Sequence, residues 1–463
     1  MQGTRAESVR PALDGSRSLH ASSAAVTHAQ ELNGYLAKGL GRAHVVLEKG
    51  ADASQCKALV AACLRDDAMP LEGSRAGYLL ELVRLVGASG DLASALADPF
   101  ADGPSGDDLE QRFELVGLLA RDGVPGMREV LYRGQVQLID RWLAEPVEWV
   151  STVAARHLIA LDGIRGAVFV FGQLGRAALA GASFFSDQEL IDAALDSLGD
   201  EQAGAILEAR ANDPGVDAYL LATEAPFVRI ENPLRPAGWS ERPWTDAQAT
   251  IERSVRGTDS LGAFASHWGE KASEEDLALA AQALVDLPKD DLELLRAYLS
   301  VFRKRPFPLD PALLIALLDD PRRFVSTYAT NALEQISHPA VRAVALRMAA
   351  HGPHRQCALG LLARNWNPGD ELIAEDLLRA AEGQRKAIVH TLGYGLRAVI
   401  DVQPPTPELV PALRLAYELE PCSSCRTDFV AALLRLSALP DDLRAECRWD
   451  ANEQTRQLVS SEA

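Results

Sequence analysis

The chain has 463 residues, a formal net charge of −19 and 48% hydrophobic residues, of which only a small share is aromatic. This excess of acid excludes broad binding to phosphate backbones, which calls for a basic face. The apolar share is enough for a continuous core built mainly from Leu, Ala and Val, which suits close-packed helices.

Residues 1–24 are rich in Ser, Arg, Gly and Ala and lack an apolar core. They read as a disordered tail, not as a signal peptide or a membrane span. Helical periodicity begins near Ala25, and 25–224 reads as an N-terminal helical solenoid. Helices are predicted at Ser54–Leu64 and Gly73–Val86, where Tyr78-Leu79, Leu82-Val83 and Val86 recur at 3–4 spacing as one buried stripe. Gly87, Gly90 and the run from Asp98 to Asp107 punctuate. Further helices are predicted at Leu109–Ala120, Val124–Tyr132, Val136–Ala144 and Val147–Ala160. The run Ala167-Val168-Phe169-Val170-Phe171 would pass for a strand, but its helical neighbours offer no sheet to join, so a buried, Gly-spaced helix is expected. Helices follow at Asp187–Leu198 and Glu201–Ala211.

The strongest break is 225–245, a Pro/Trp-rich loop with Pro226, Pro233, Pro236 and Pro243 around Trp239 and Trp244. Its tryptophans want burial, so it is expected to pack back on the helices. From 246 to 463 the pattern is regular. Ser273-Glu274-Glu275-Asp276 caps a helix to Leu284, and Asp290–Phe302 pairs with it. Pro311–Leu318, Phe324–Ile336, Val341–Ala350, Gln356–Asn365, Glu371–Ala381 and Arg385–Val399 follow, then Glu408–Leu419, Ser424–Leu436 and a turn at Asp441–Cys447.

Within this half the chain matches itself at an offset of one hundred residues. Pro311-Ala312-Leu313-Leu314-Ile315-Ala316 stands over Pro411-Ala412-Leu413-Arg414-Leu415-Ala416, Pro321 over Pro421, Ala332-Leu333 over Ala432-Leu433 and Ile336-Ser337 over Leu436-Ser437. Each copy reads as a helix, a turn at the proline and a second helix, with Leu333 and Leu433 at equivalent buried sites. Such a unit cannot bury its apolar face alone and must stack on neighbours. The stretch from Leu313 to Met348, with its Asp319-Asp320-Pro321 turn, Val325, Ala329, Ala332-Leu333 and Ile336, and Pro339-Ala340-Val341-Arg342 opening the next helix, resembles the HEAT-repeat family. The copy at 411–447 departs, with Leu419-Glu420-Pro421 at its turn and cysteines in its second helix. The resemblance implies an all-α solenoid of antiparallel helix pairs, of the HEAT or armadillo type. It also implies a protein-binding scaffold more often than an enzyme.

Candidate chemistry is sparse. The six cysteines lie in apolar helical text at spacings unlike a disulfide framework, so reduced thiols and a cytoplasmic protein are expected. Cys422-x-x-Cys425, with Cys447 further on, could hold zinc or form a redox pair. A structural site wants four ligands, His390 is the nearest preceding histidine, and no βαβ pattern accompanies the pair. The expectation is therefore packed thiols and no metal or other cofactor. His351, His354 and Cys357 straddle Gly352-Pro353, a helix junction. The pairs Asp66-Asp67, Asp107-Asp108, Asp290-Asp291, Asp319-Asp320 and Asp441-Asp442 read as helix caps. Arg303-Lys304-Arg305 reads as a solvated helix C-terminus. Gly393-Tyr394-Gly395 inside a helix would allow close packing or a kink. No phosphate loop, zincin motif or nucleophile elbow occurs.

The expected function is a non-catalytic scaffold that holds a protein or peptide on a concave face built from the second helix of each pair, without nucleic acid or membrane. Arg322, Arg323, Ser326, Thr330, Arg426 and Asp428 are the second-helix polar residues expected to meet the partner. Two alternatives follow from the resemblance. One is a HEAT-like DNA glycosylase, for which Trp268, Arg364 and Trp366 would serve. The other is a bilin-lyase-like, cofactor-handling protein.

Overall fold

The structure is a computed structural model that describes residues 28–67, 69, 75–145, 152–181, 200–224, 242–255, 262–352 and 354–460. Every regular element among the described residues is a helix, and no strand occurs among them. In chain order the first half holds α1 (28–38), α2 (Arg42–Glu48), α3 (Ala53–Cys63), α4 (Ala76–Leu85), α5 (Ser89–Ala95) and α6 (Gly106–Arg121). It continues with α7 (Met127–Ala144), α8 (Val153–Asp162), α9 (Ile164–Leu179), α10 (Asp200–Asn212) and α11 (Pro214–Glu224). The second half holds α12 (Trp244–Val255), α13 (Gly262–Lys271), α14 (Glu274–Asp286), α15 (Leu292–Val301), α16 (Ala312–Leu317), α17 (Arg323–Leu333) and α18 (Pro339–Ala350). The last helices are α19 (Ala358–Ala363), α20 (Asp370–Arg379), α21 (Lys386–Val402), α22 (Val410–Leu419), α23 (Ser423–Arg435), α24 (Asp441–Cys447) and α25 (Glu453–Ser460).

Several starts obey local chemistry. Ser105 and Asp108 form a reciprocal capping box on α6, Ser273 caps α14 and Asp291 caps α15. The run at 167–171 lies inside α9, so the helical reading of that ambiguous stretch holds. Both copies of the self-match are two helices with the proline in the turn, and Leu333 and Leu433 are both fully buried. Arg303-Lys304-Arg305 follows α15, and two of its charges are spent within the chain: Lys304 on Glu270, and Arg305 on Glu274 and two backbone carbonyls.

The differences have local causes. Val124–Tyr132 and Val136–Ala144 are one helix, α7, because Gly134 is retained for close contact; a Cβ there would lie 2.3 Å from the Phe113 ring. Gly90 does not break the chain but lies inside α5. Trp244 opens α12 instead of ending a loop, and packs against Trp268 and Tyr298. Helix α11, which no periodicity announced, starts at Pro214 with Asp213 accepting from the amides of Gly215 and Val216. The predicted helix 187–198, Trp239 and residues 225–241 lie outside the described residues.

Many of the helices pack on a chain neighbour or on the next but one. In the second half α13 packs on α15, α15 on α17, α19 on α21, α21 on α23 and α23 on α25. In the first half α4 packs on α6, α6 on α8, α8 on α9 and α9 on α11. Each half has its own large apolar core, and the two meet where the first helices touch the last ones. Leu40, between α1 and α2, is buried in the second-half core.

That junction is specific. The Ala451 amide and an Arg426 Nη2 both donate to the Gly39 carbonyl, at 2.9 and 3.1 Å. Arg75 donates to Pro421 O at 2.9 Å, and Lys38 to Glu418 O at 2.6 Å. Arg42 holds both Glu418 and Glu446. The His44 ring stacks on Trp449 with centroids 3.6 Å apart. Gly39 has a φ of +68, and at Gly41 a Cβ would sit 2.0 Å from the Glu446 carbonyl, so Gly39-Leu40-Gly41 is shaped for this contact.

Candidate functional site

Among the six second-helix residues, the structure separates surface from interior. Arg323 is exposed at the start of α17, and Arg322 before it is held by Asp320 through its backbone and guanidinium, and by Lys289 O. Ser326 and Thr330 are buried, with side chains that bond back to the Arg323 and Ser326 carbonyls. Short hydroxyl side chains satisfy themselves on their own helix, which lets them face the core. Arg426 is fully buried, paired with the equally buried Asp450, and it also donates to Glu420 O. Its place in the sequence pattern suggested a surface; the junction with the first helices buries it instead. Asp428 is half-buried and takes Arg397 at 2.9 Å. Two polar contacts link second helices: half-buried Arg296 of α15 donates to Tyr328 of α17 at 3.2 Å, and Arg397 of α21 reaches Asp428 of α23.

The residues that a base-handling site would use are dispersed. Trp268 is fully buried and donates to Arg242 O at 3.0 Å, so its ring cannot stack on a base. Arg364 is exposed and contacts Gln335, and Trp366 packs half-buried on the second-half core. His351, His354 and Cys357 end one helix and start another, and burial pushes the Cys357 thiol up to about 11.

One constellation is brought together by the fold. Pro421 lies in the turn after α22, Cys422 sits at the cap of α23 and Cys425 in its first turn, while His390 lies in the second turn of the facing helix α21. A ring nitrogen of His390 and the sulfurs of Cys422 and Cys425 all lie within 4.8 Å of one another. Glu420 anchors the group. Its carboxylate accepts from His390 Nδ1 at 2.8 Å and from the Cys422 amide at 3.0 Å, and its side chain is 1% exposed. Its second oxygen is buried without a hydrogen-bond partner. Gly393 makes this possible, because a Cβ there would come within 1.7 Å of that oxygen. Gly395, on the other side of the same helix, abuts Leu359 and the Gly360 backbone, so the glycine pair serves close packing toward two neighbours.

The sequence grouped Cys447 with the pair. It lies elsewhere, with its sulfur 3.7 Å from the Tyr417 hydroxyl. The adjacent Cys422 thiol and burial hold the Cys425 thiol far above the ordinary range, the opposite of an activated nucleophile. What sequence reasoning missed was Glu420 as the link; its signal was an acid between Leu419 and Pro421 in an otherwise apolar turn. Comparison with protein-family models, with curated proteins and with solved structures returns no match.

Proposed function

We propose that the protein is a non-catalytic scaffold, a HEAT-like solenoid of stacked helix pairs whose second-helix face holds a protein or peptide partner. The observation that carries this reading is the next-but-one packing of helices in both halves. Units that pack only on neighbours leave a long, ordered face exposed, which suits an extended polypeptide. The polar contacts Arg296–Tyr328 and Arg397–Asp428 link second helices, and Arg323 is exposed at the start of one of them.

The junction between the first and last helices joins the two packed series of helices through Gly39, Arg42 and Arg75. Cross-linking of a captured partner, mapped by mass spectrometry, tests the reading: links concentrated on α15, α17, α21 and α23 are expected. Base release from damaged duplex DNA would overturn it in favour of the glycosylase alternative.

A further inference from the structure

We propose that His390, Cys422 and Cys425 bind one divalent transition-metal ion, zinc by the character of the donors. Solvent takes the fourth position, and Glu420 is the carboxylate that orients the histidine. The three ligand atoms come from two helices and converge within 4.8 Å, whereas two sulfurs and a nitrogen around zinc stand somewhat under 4 Å apart, so small side-chain rotations close the site. Two thiolates and an imidazole are a donor set that selects zinc over magnesium or calcium. Glu420 engages His390 Nδ1, which would leave Nε2 for the ion and give the outer carboxylate contact that metal-bound histidines commonly make.

A second observation points the same way. Glu420 Oε2 is buried and without a hydrogen-bond partner beside this cluster. A lone carboxylate oxygen out of water is costly, and a nearby cation offsets that cost. The site also has an entrance: the His390 side chain is 30% exposed, while the cysteines behind it are buried. Binding converts two thiols to thiolates and releases two protons to solvent, leaving the metal–thiolate unit neutral. The ion would tie α21 to the segment whose next residues lock the first and last helices together, since Pro421 O accepts from Arg75 and Glu420 O from Arg426. This inference is independent of the scaffold reading.

The test uses the full chain, reduced and stripped of metal, titrated with Co2+ alone and with Zn2+ alone. One equivalent of Co2+ with a thiolate-to-cobalt charge-transfer band is expected, displaced by Zn2+, with release of two protons and a Tm that rises with free Zn2+. Cys422→Ser and Cys425→Ser should each abolish the charge-transfer band with helical content retained, and Cys357→Ser should leave it intact. Glu420→Gln should weaken binding 10–100-fold while keeping the band. If a variant loses its helices, proton release and Co2+ uptake by the wild-type chain still decide the matter. Absence of stoichiometric uptake by the reduced chain overturns the proposal. So does uptake unchanged in the Cys422→Ser/Cys425→Ser double variant.

Discussion

Arg426 and Asp450 form the most deeply buried ion pair among the described residues, both side chains being fully inaccessible. Breaking such a pair from one side strands a charge in the interior and costs on the order of 3–5 kcal/mol. Arg426→Met and Asp450→Asn should each lower stability by that amount in denaturant unfolding, and the double variant by less than their sum. A loss below about 1 kcal/mol for either would mean that the junction does not depend on the pair. Glu334 is the second instructive residue. It sits against Gly360, where a Cβ would approach its carboxylate to 2.2 Å, and burial pushes its pKa up to about 7 from an ordinary 4.5. Between those values the folded chain holds a proton that the unfolded chain has lost. This group's contribution therefore favours folding below about pH 4.5 and is lost as pH rises to 7, a swing on the order of 3 kcal/mol. Glu334→Gln should remove that limb and make the variant more stable than wild type at pH 8. Parallel stability–pH curves for the two proteins would show that Glu334 is not desolvated.

At the scale of elements, glycine decides which helices come close. Gly175 on α9 faces Gly215 on α11, and a Cβ at 175 would lie 1.7 Å from the Gly215 carbonyl. Gly77, in α4, has open space around it. Gly175→Ala should cost about 1–3 kcal/mol through forced separation of the helices, whereas Gly77→Ala should gain about 0.5–1 kcal/mol from helix propensity. Thermal melts of the two variants check the contrast, and equal shifts would mean that the α9–α11 crossing is looser than described. The same glycines mark what was legible in the sequence. The all-helical class, the helix at 167–171, the caps at Asp108, Ser273 and Asp291 and the proline turn of the repeated unit follow from periodicity and local hydrogen bonding, which are near-neighbour effects. Whether Gly134 breaks a helix or admits the Phe113 ring depends on a partner twenty-one residues away, and propensity alone favours the break. Likewise Cys422 and Cys425 were visible as a pair, but their third member, His390, is set by which helix lies opposite. The buried fate of Ser326, Thr330 and Arg426 has the same origin, because a polar type at a second-helix position does not disclose which way the position faces.

At the scale of the molecule, the first described helices close against the last, which brings the two ends of the described region together around Gly39 and Ala451. A circular permutant that joins those ends by a flexible linker and opens within 225–241 should fold with the helical content of the parent and a Tm within a few degrees of it. Failure of that permutant, together with proper folding of the 242–460 segment alone without solubility or stability loss, would mean that the junction is incidental. Arg42, Arg75 and Arg426 argue otherwise, since each crosses from one half to the other through side-chain hydrogen bonds.

The central functional claim is that a polypeptide lies along the second-helix row and is not turned over. Its most direct measurement is quantitative capture of the cross-linked partner by the Arg296→Glu/Arg323→Glu/Arg397→Glu variant, against wild type and against a control with charge reversals on the first helices. An interface spread over several repeats should lose at least about tenfold in affinity from reversals on three of them. The account predicts that loss in the second-helix variant alone, with helical content unchanged. Capture indifferent to the second-helix reversal, or tight, salt-sensitive binding of duplex DNA by the wild-type chain, would contradict it.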